Sequence, residues 1–197
     1  MPKIERTFVL LKPDAIQRGL IGEIIKRIEQ RGLKIISFKL VVPTEEQVFA
    51  HYNKDDEWFK KKGQGVVDLI KERGEEPTKE AIEYGKDIVR ALAKYMVAGP
   101  SLALVVEGHN AVNIILKITG STEPATADIG TIRGDFAIET FALANTDDRA
   151  VRNLIHCSES VEEAKREIDL WIKPEEIVDY RGLWEDILYA KDLKGIL

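Results

Sequence analysis

Short apolar runs of strand length alternate with stretches of helical periodicity, and this alternation limits the possible folds more than any other feature. Strands are predicted at residues 7–11, 33–42 and 102–106, and amphipathic helices at residues 20–29 and 110–118. The chain therefore contains one strand-helix-strand unit, and the strand and helix at residues 102–118 start a second one. This order predicts an α+β fold of the split β-α-β type, in which helices cover a four-stranded antiparallel sheet.

The fourth strand and the remaining helices follow from shorter signals. Residues 135–141 alternate in polarity, which predicts the fourth strand, and helices are predicted at residues 160–171 and from about 87 to 97. Thr44 and Gln47 have the spacing of a capping box, so a short helix carrying Val48, His51 and Tyr52 is expected to follow.

The chain is expected to form one domain over residues 1–197. Changes in composition predict surface insertions at about 53–85 and 142–150, and an amphipathic tail at about 181–197 that docks on the body or on a neighbouring subunit. Residues 121–134 are rich in Thr, Pro, Gly and Asp, which predicts a long ordered loop. Long loops in compact domains are often functional.

Composition excludes several classes of protein. The chain has 29 basic and 34 acidic residues, a net charge of −5, so no general electrostatic attraction to nucleic acid is expected. The single cysteine, Cys157, excludes an intramolecular disulfide framework. Residues 1–6 contain no apolar signal region, and no apolar run approaches the length of a membrane span. A cytoplasmic protein without a membrane partner is expected, and its weight of Lys, Glu and Arg suits a thermophile.

The segment of residues 152–160 places a histidine between apolar residues and a run of small polar ones. His156 could act as a nucleophile, with Ser158 and Glu167 holding its ring, or it could be a loop histidine that caps the following helix. Polar or basic residues also stand near predicted strand ends, and each taken alone has a structural explanation: Lys12, Thr122, Arg133 and Asn153.

Several long segments, in order, resemble the signatures of the nucleoside diphosphate kinase family. They are residues 7–14 (TFVLLKPD), 17–24 (QRGLIGEI), 130–136 (GTIRGDF), 153–160 (NLIHCSES) and 170–176 (LWIKPEE). A lone His-x-Ser would carry little information, whereas this series extends over the chain from residue 7 to 180 apart from the insertions.

The resemblance implies a ferredoxin-like fold and a specific chemistry. The γ-phosphoryl group of a nucleoside triphosphate, typically ATP, would pass to a nucleoside diphosphate and keep the NTP and dNTP pools balanced. His156 would carry the group as a phosphohistidine in a ping-pong cycle, because a neutral imidazole nitrogen can attack near pH 7. Glu167 would orient the ring through its other nitrogen, and Ser158 would support that arrangement.

The resemblance also implies the remaining parts of the site. Cationic side chains must neutralise the phosphate charge, and Mg²⁺ is expected as a bridge between phosphate oxygens rather than in a protein cage. The implied nucleotide contacts are Lys12 and Arg133 to phosphates, Lys12 and Asn153 to the sugar, Thr122 to a phosphate, Tyr52 beside His156, and Glu159 to the metal through water.

Two positions differ from the family pattern around the phosphates and the nucleophile. Leu116 stands where many members have an arginine, so either Lys117 takes that role or one cationic contact is missing. Cys157 follows the histidine where glycine is common. It is either a redox-sensitive thiol or an inert packing residue.

The residue that stacks on the base is unassigned by the pattern. In many family members the aromatic residue that stacks on the base precedes the segment that corresponds to residues 94–96. Alignment back from that segment without a gap places Ile88 at this position, and its side chain is apolar but not aromatic. Trp58 and Phe59 are the alternatives if the insertion falls on the other side.

The family also implies a homo-oligomer, a hexamer or sometimes a tetramer. Two other classes of function are alternatives to the enzyme. A sensing or scaffolding subunit of the same fold would lack His156, Lys12 or Arg133, and all three are present. An RNA-binding module would need exposed aromatic residues on its strands and a basic surface, which this acidic chain does not predict. No special role is predicted for His51 or His109.

Overall fold

The computed structural model describes residues 4–194. The predicted absence of an N-terminal signal region and the predicted tail fall partly on residues 1–3 and 195–197, which lie outside that range. In the described part, the strands are β1 (Ile4–Leu11), β2 (Lys34–Val41), β3 (Ser101–His109) and β4 (Ile155–Cys157). They form one antiparallel sheet in the order β2-β3-β1-β4. The predicted ferredoxin-like α+β fold is confirmed.

Helices cover both faces of the sheet. Their bounds are α1 Pro13–Gln17, α2 Ile21–Glu29, α3 Glu45–His51, α4 Asp56–Glu72, α5 Ala81–Met96, α6 Ala111–Thr119, α7 Ile132–Phe136, α8 Phe141–Thr146, α9 Val161–Trp171 and α10 Trp184–Tyr189. Short 3₁₀ turns occupy Pro124–Thr126 and Pro174–Glu176. No helix in this part of the chain is both long and apolar enough to cross a bilayer.

The central strands are apolar without alternation because both of their faces are covered. Along β1, Val9 and Leu11 join one buried cluster with α2 and α6, whereas Phe8 and Leu10 join a second cluster with α3, α5 and α9. Burial of each such side chain stabilises the fold by about 1.5–3 kcal/mol. The sheet therefore has one apolar core on each face, formed with α2 and α6 on one side and with α3, α5 and α9 on the other.

Local signals placed several helix ends correctly. Thr44 and Gln47 form the predicted capping box at the start of α3. Ser160 caps α9, whose bounds agree with the predicted helix. The segment after α2 turns at Gly32, whose positive φ of 73° favours glycine. The tail helix α10 docks on the body, where the hydroxyl of Tyr189 accepts a hydrogen bond from the His109 backbone.

The segment of residues 53–85 is more regular than predicted. In place of helical fragments it contains the 17-residue helix α4, and α5 begins at Ala81, earlier than the predicted residue 87. The two helices touch backbone to backbone. A Cβ at Gly63 would lie 1.6 Å from the carbonyl oxygen of Ala81, and a Cβ at Gly85 would lie 2.0 Å from that of Phe59. Whether this hairpin and residues 142–150 are insertions stays a prediction.

The predicted strand at 135–141 is wrong. The helix α7 occupies the first part, because Thr131 caps it by accepting a hydrogen bond from Gly134 N and because Asp135 pairs with Arg27. Extended chain without strand partners in the described structure follows, and α8 begins at Phe141. The fourth strand is β4. Arg133 therefore lies in a helix rather than before a strand, and His156 lies inside a strand rather than after one.

Candidate active site

His156 lies at the centre of the short strand β4 and is paired through its ring with a buried carboxylate. Its Nε2 is 3.0 Å from Oε1 and 3.1 Å from Oε2 of Glu167, which is 1% exposed on α9. The hydroxyl of Ser158 donates to the same carboxylate at 2.6 Å. Because the carboxylate accepts a hydrogen bond from Nε2–H, the lone pair of the neutral ring is on Nδ1. The predicted arrangement of these three side chains is present.

Burial controls the protonation of this pair. Loss of solvent, and then the nearby charge of Lys12, lowers the pKa of His156 to about 3, so the ring is neutral at physiological pH. Burial raises the pKa of Glu167 above its ordinary value, while His51 and the hydrogen bond from Ser158 act in the opposite direction. A neutral ring with a fixed tautomer is the form that can act as a nucleophile.

Two buried cations converge beside the histidine. Lys12 Nζ donates to Asn153 Oδ1 at 2.7 Å, and Asn153 Nδ2 donates to the backbone oxygen of Thr122 at 2.8 Å. Burial, and then the charge of Arg133, lowers the pKa of Lys12 to about 8. Neither cation forms a salt bridge within residues 4–194. Two buried positive charges without a carboxylate partner form a site for an anion.

All three guanidinium nitrogens of Arg133 donate to backbone carbonyl oxygens, and these three bonds use three of its five N–H groups. It donates to the carbonyl oxygens of Gly120 at 2.9 Å, Asn153 at 3.2 Å and Ile155 at 2.6 Å. It therefore ties the loop after α6 to the chain on both sides of Leu154. Burial lowers its pKa, although the group stays charged.

Leu154 shows backbone strain immediately before the nucleophile strand. Its φ is +68°, a conformation that costs a leucine roughly 1 kcal/mol or more. Two contacts from the start of the chain hold it there. Asp14 Oδ2 accepts from Leu154 N at 3.1 Å, and Lys12 N donates to Leu154 O at 2.8 Å. Sequence reasoning missed Asp14, although an acidic residue in the first turn of a helix after Pro13 was a visible signal.

Aromatic rings surround the histidine. The ring centroid of His51 is 4.4 Å from that of His156, and the centroid of Tyr52 is 6.2 Å away. Burial raises the pKa of the Tyr52 phenol, which is therefore neutral. Sequence reasoning gave no role to His51. The available signal was its position three residues after Val48, which places both side chains on the buried face of α3.

Apart from the Thr122 backbone oxygen that accepts from Asn153, the other predicted positions are less closely tied to this group. Ile88 is half-buried on α5, Lys117 is exposed in the last turn of α6, and the Thr122 and Glu159 residues are exposed on loops. A cavity of about 280 Å³ opens between α5 and the loop that leads to Asn153. Its lining is Ala91, Lys94, Tyr95, Asp148, Arg149, Ala150 and Arg152.

Cys157 is buried, and burial raises the pKa of its thiol. Its Sγ is 3.7 Å from Thr119 Oγ1. A buried thiol of raised pKa is a poor nucleophile, so these surroundings favour the packing role over the redox role.

Comparison with known proteins agrees with this fold. The sequence profile of the family described as "Nucleoside diphosphate kinase" matches residues 5–72 and 77–177. A nucleoside diphosphate kinase of Pyrobaculum aerophilum is 42% identical over 181 residues, which cover 89% of this chain and 99% of the relative. Nucleoside diphosphate kinase B of Homo sapiens is 40% identical over 189 residues, covering 96% and 99%.

Solved structures give the same result. The crystal structure of an NDP kinase from Pyrobaculum aerophilum has a TM-score of 0.86 at 41% identity, covering 90% of this chain and all of the other. A transition-state mimic of nucleoside-diphosphate kinase from Borrelia burgdorferi, with bound vanadate and ADP, has a TM-score of 0.77 at 30% identity, covering 93% and 96%.

The fold and the site thus define a phosphotransferase in which a histidine takes part. The chain belongs to the nucleoside diphosphate kinase family, and its activity is that of this family, phosphoryl transfer through a histidine.

Proposed function

We propose that His156 carries the γ-phosphoryl group of a nucleoside triphosphate, typically ATP, to a nucleoside diphosphate and so balances the NTP and dNTP pools. The pairing of Nε2 with Glu167 is the observation that carries this proposal. It leaves the lone pair on Nδ1, and the low pKa keeps that lone pair free of a proton. The product is then a phosphohistidine on Nδ1.

Each half of the cycle is a displacement at phosphorus. The Nδ1 lone pair forms a bond to the γ-phosphorus while the bond to the β–γ bridging oxygen breaks, and the electron pair leaves with the diphosphate. A terminal oxygen of the acceptor diphosphate then attacks the phosphorus, and the P–N electron pair returns to Nδ1. The proton stays on Nε2 and remains hydrogen-bonded to Glu167 throughout, so no proton must be moved at the nucleophile.

Lys12 and Arg133 are proposed to stabilise the charge that develops on the transferring group. Both are already buried and positively charged, so little reorganisation accompanies the reaction. We assign Asn153 and Lys12 to the sugar, Thr122 to a phosphate and Tyr52 to the wall beside His156. Lys117 is proposed as a weaker phosphate contact on its exposed helix end.

Mg²⁺ is the proposed metal, and the donor set fits a metal carried by the nucleotide. The buried polar groups beside His156 include two cations and an amide, and the buried carboxylate of Glu167 already accepts hydrogen bonds from His156 and Ser158. Glu159 offers an exposed carboxylate on the loop after β4, which suits a contact through water rather than a cage. A bound Mg²⁺ would neutralise phosphate charge on the nucleotide, and Glu159 would help to hold it through water.

The nucleoside base is proposed to occupy the cavity between α5 and the loop before Asn153. The cavity is lined by Ala91, Tyr95 and Ala150 among its less polar residues, and it adjoins the assigned sugar contact. Ile88 lies two turns before Tyr95 on the same helix and would form an apolar edge. Trp58 and Phe59 lie on α4 and remain the alternative.

Assembly into a homo-oligomer is proposed from two exposed apolar surfaces. Phe38, Leu40 and Val42 extend along the edge strand β2 and its end, each about 60% exposed. Ile129 and Ile138, on either side of α7, are 94% and 95% exposed. Two apolar surfaces on different elements support two kinds of interface, as a hexamer or a tetramer requires. Leu40→Glu and Ile138→Glu should each give a different smaller species in analytical ultracentrifugation.

We also propose that the protein is a cytoplasmic enzyme with a single domain and two insertions.

The test of the proposed role of His156 is phosphate labelling. The protein is incubated with γ-labelled ATP and Mg²⁺ without acceptor, and GDP is then added. Acid-labile label that is chased to GTP, and that is absent from His156→Ala, is the expected result. Unlabelled wild type that makes no GTP would contradict the assignment and favour a sensing or scaffolding subunit.

A further inference from the structure

A second imidazole lies against the proposed catalytic pair and has no part in the reaction described above. His51, the last residue of α3, is 1% exposed, and its Nδ1 is 3.6 Å from Glu167 Oε1. The same oxygen accepts from Nε2 of His156 at 3.0 Å. If His51 carried a proton on Nδ1, it would donate to Glu167 and compete with His156 for the carboxylate.

Trp171 prevents that competition by its geometry. Its indole Nε1 donates to His51 Nδ1 at 3.2 Å, in a buried contact at the end of α9. An indole nitrogen is a donor only, so the Nδ1 atom that receives it must carry a lone pair. The proton of the neutral His51 ring is therefore on Nε2. That atom is buried and has no hydrogen-bond partner within residues 4–194.

Protonation of His51 is opposed by the same contact, because an imidazolium would point an N–H at the indole N–H. The charged or titratable groups that face His51 are His156 from β4, Glu167 and Arg166 from α9, Lys12 from the end of β1, and the phenol of Tyr52, whose ring centroid is 4.6 Å away. Burial, and then His156, lowers the pKa of His51 well below its ordinary value, and only Glu167 among these groups raises it.

The spacing of His51, His156 and Glu167 would also allow a metal ion, since their ligand atoms lie within 4.8 Å of one another. However, the Nδ1 lone pair of His51 already accepts a hydrogen bond from the Trp171 indole N–H. The carboxylate of Glu167 likewise already accepts a hydrogen bond from Nε2–H of His156. The cluster is therefore a hydrogen-bond array and not a ligand set.

We propose that Trp171 and His51 are positioning residues: the indole N–H fixes His51 as the neutral Nε2–H tautomer, and this reserves Glu167 for His156. The consequence falls on the nucleophile, because the bond to Glu167 is what keeps the lone pair of His156 on Nδ1. The inference rests on the proposed role of His156 and adds the residues that set its tautomer.

The first measurement is the tautomer itself, which needs no activity. The chain has three histidines, so the ¹⁵N-imidazole NMR spectrum can be assigned with His51→Phe and His156→Ala. In the wild type, His51 should carry its proton on Nε2 at neutral pH and should stay uncharged as the pH is lowered. A proton on Nδ1 of wild-type His51 would overturn the proposal.

The second measurement uses Trp171→Phe, which removes the N–H and keeps an aromatic ring against Phe8, at present 5.9 Å away. His51 should then bind a proton on Nδ1. The single-turnover rate of phosphohistidine formation should fall about tenfold, and further as the pH falls, with the KM for ATP unchanged. Packing damage alone would not change the tautomer or add a pH dependence.

The double variant Trp171→Phe/His51→Phe separates positioning from packing. It removes the competitor for Glu167, so its labelling rate should recover to within about threefold of the wild type. If packing alone were at stake, the second substitution would add to the loss, and that result would contradict the proposal. If the wild-type protein took no label, the proposed function itself would be contradicted. If Trp171→Phe were labelled at the wild-type rate and kept the wild-type tautomer of His51, only this inference would be contradicted.

Discussion

Lys12 and Asn153, 141 positions apart in the chain, are joined by a hydrogen bond of 2.7 Å from Nζ to Oδ1. The backbone oxygen of Asn153 also accepts from Arg133 at 3.2 Å. One neutral amide residue thus holds two cations in place without neutralising either. A carboxylate at this position would form an ion pair with these cations and would neutralise the positive charge that is needed to bind a phosphate.

Asn153→Asp tests this relationship. The new carboxylate should pair with Lys12 and raise its pKa, so the site becomes less attractive to an anion. The KM for ATP should rise by about tenfold or more, which is the size of one close charge pair. Steady-state kinetics measure the change, and Asn113→Asp, on the exposed face of α6, is the matched control. Equal kinetics for the two variants would contradict the anion site.

The pH dependence of nucleotide binding follows from Lys12. Its pKa is lowered to about 8, and a lysine is charged below its pKa, so the positive charge is lost as the pH rises through 8. The affinity of the free enzyme for ATP should therefore be constant at neutral pH and should fall above pH 8. Titration calorimetry across this range measures it.

His156 sets no limit in the same range, because its pKa of about 3 leaves its ring uncharged at every pH in question. Lys12→Arg is the control for the alkaline limb. An arginine stays charged throughout, so the fall above pH 8 should disappear even if the affinity is lower. Persistence of the fall would assign it to another group.

Glu167→Gln should reduce the rate of phosphorylation rather than nucleotide affinity. The amide can still accept from Nε2, but the negative charge that supports the ring is lost, and either orientation of the amide can be adopted. By analogy with carboxylates behind ligating histidines, the rate should fall about 10- to 100-fold. Single-turnover labelling measures it. Asp169→Asn, exposed on the same helix, should have no effect. An unchanged rate with a raised KM would contradict the orienting role.

The sequence predicted the central fold because its strands have strong local signals. Both β1 and β3 are buried on both faces, so they appear as unbroken apolar runs. The helix α7 could not be predicted in this way. Its five residues are held by the cap from Thr131 and by the ion pair of Asp135 with Arg27, and that partner is distant in the sequence.

The site shows the same division. Its motif residues could be named, and the structure brings His156, Glu167, Ser158, Lys12, Arg133 and Asn153 together. The role of His51 could not be predicted, because it depends on a buried donor from Trp171, 120 positions later. Periodicity places a side chain inside, but it does not show which polar atom it will meet there.

Glycines in α4 provide a prediction with an internal control. Gly63 faces α5, where an added Cβ would lie 1.6 Å from the backbone oxygen of Ala81, whereas Gly65 on the same helix has open space around it. Gly65→Ala should stabilise the protein by about 0.5–1 kcal/mol through helix propensity. Gly63→Ala should destabilise it by about 1–3 kcal/mol, because the helices must separate. Thermal unfolding of both variants measures the difference.

The two variants should also differ in catalysis. Because α5 lines the cavity proposed for the base, separation of α4 from α5 in Gly63→Ala should move that wall. His156 lies on β4 and not on α5, so its own position should not change. The KM for ATP should therefore rise, whereas the single-turnover rate of His156 phosphorylation at saturating ATP should stay the same. Gly65→Ala should change neither value. If Gly63→Ala lowered the saturated rate at constant KM, the hairpin would act on the nucleophile, and the base would have to bind elsewhere.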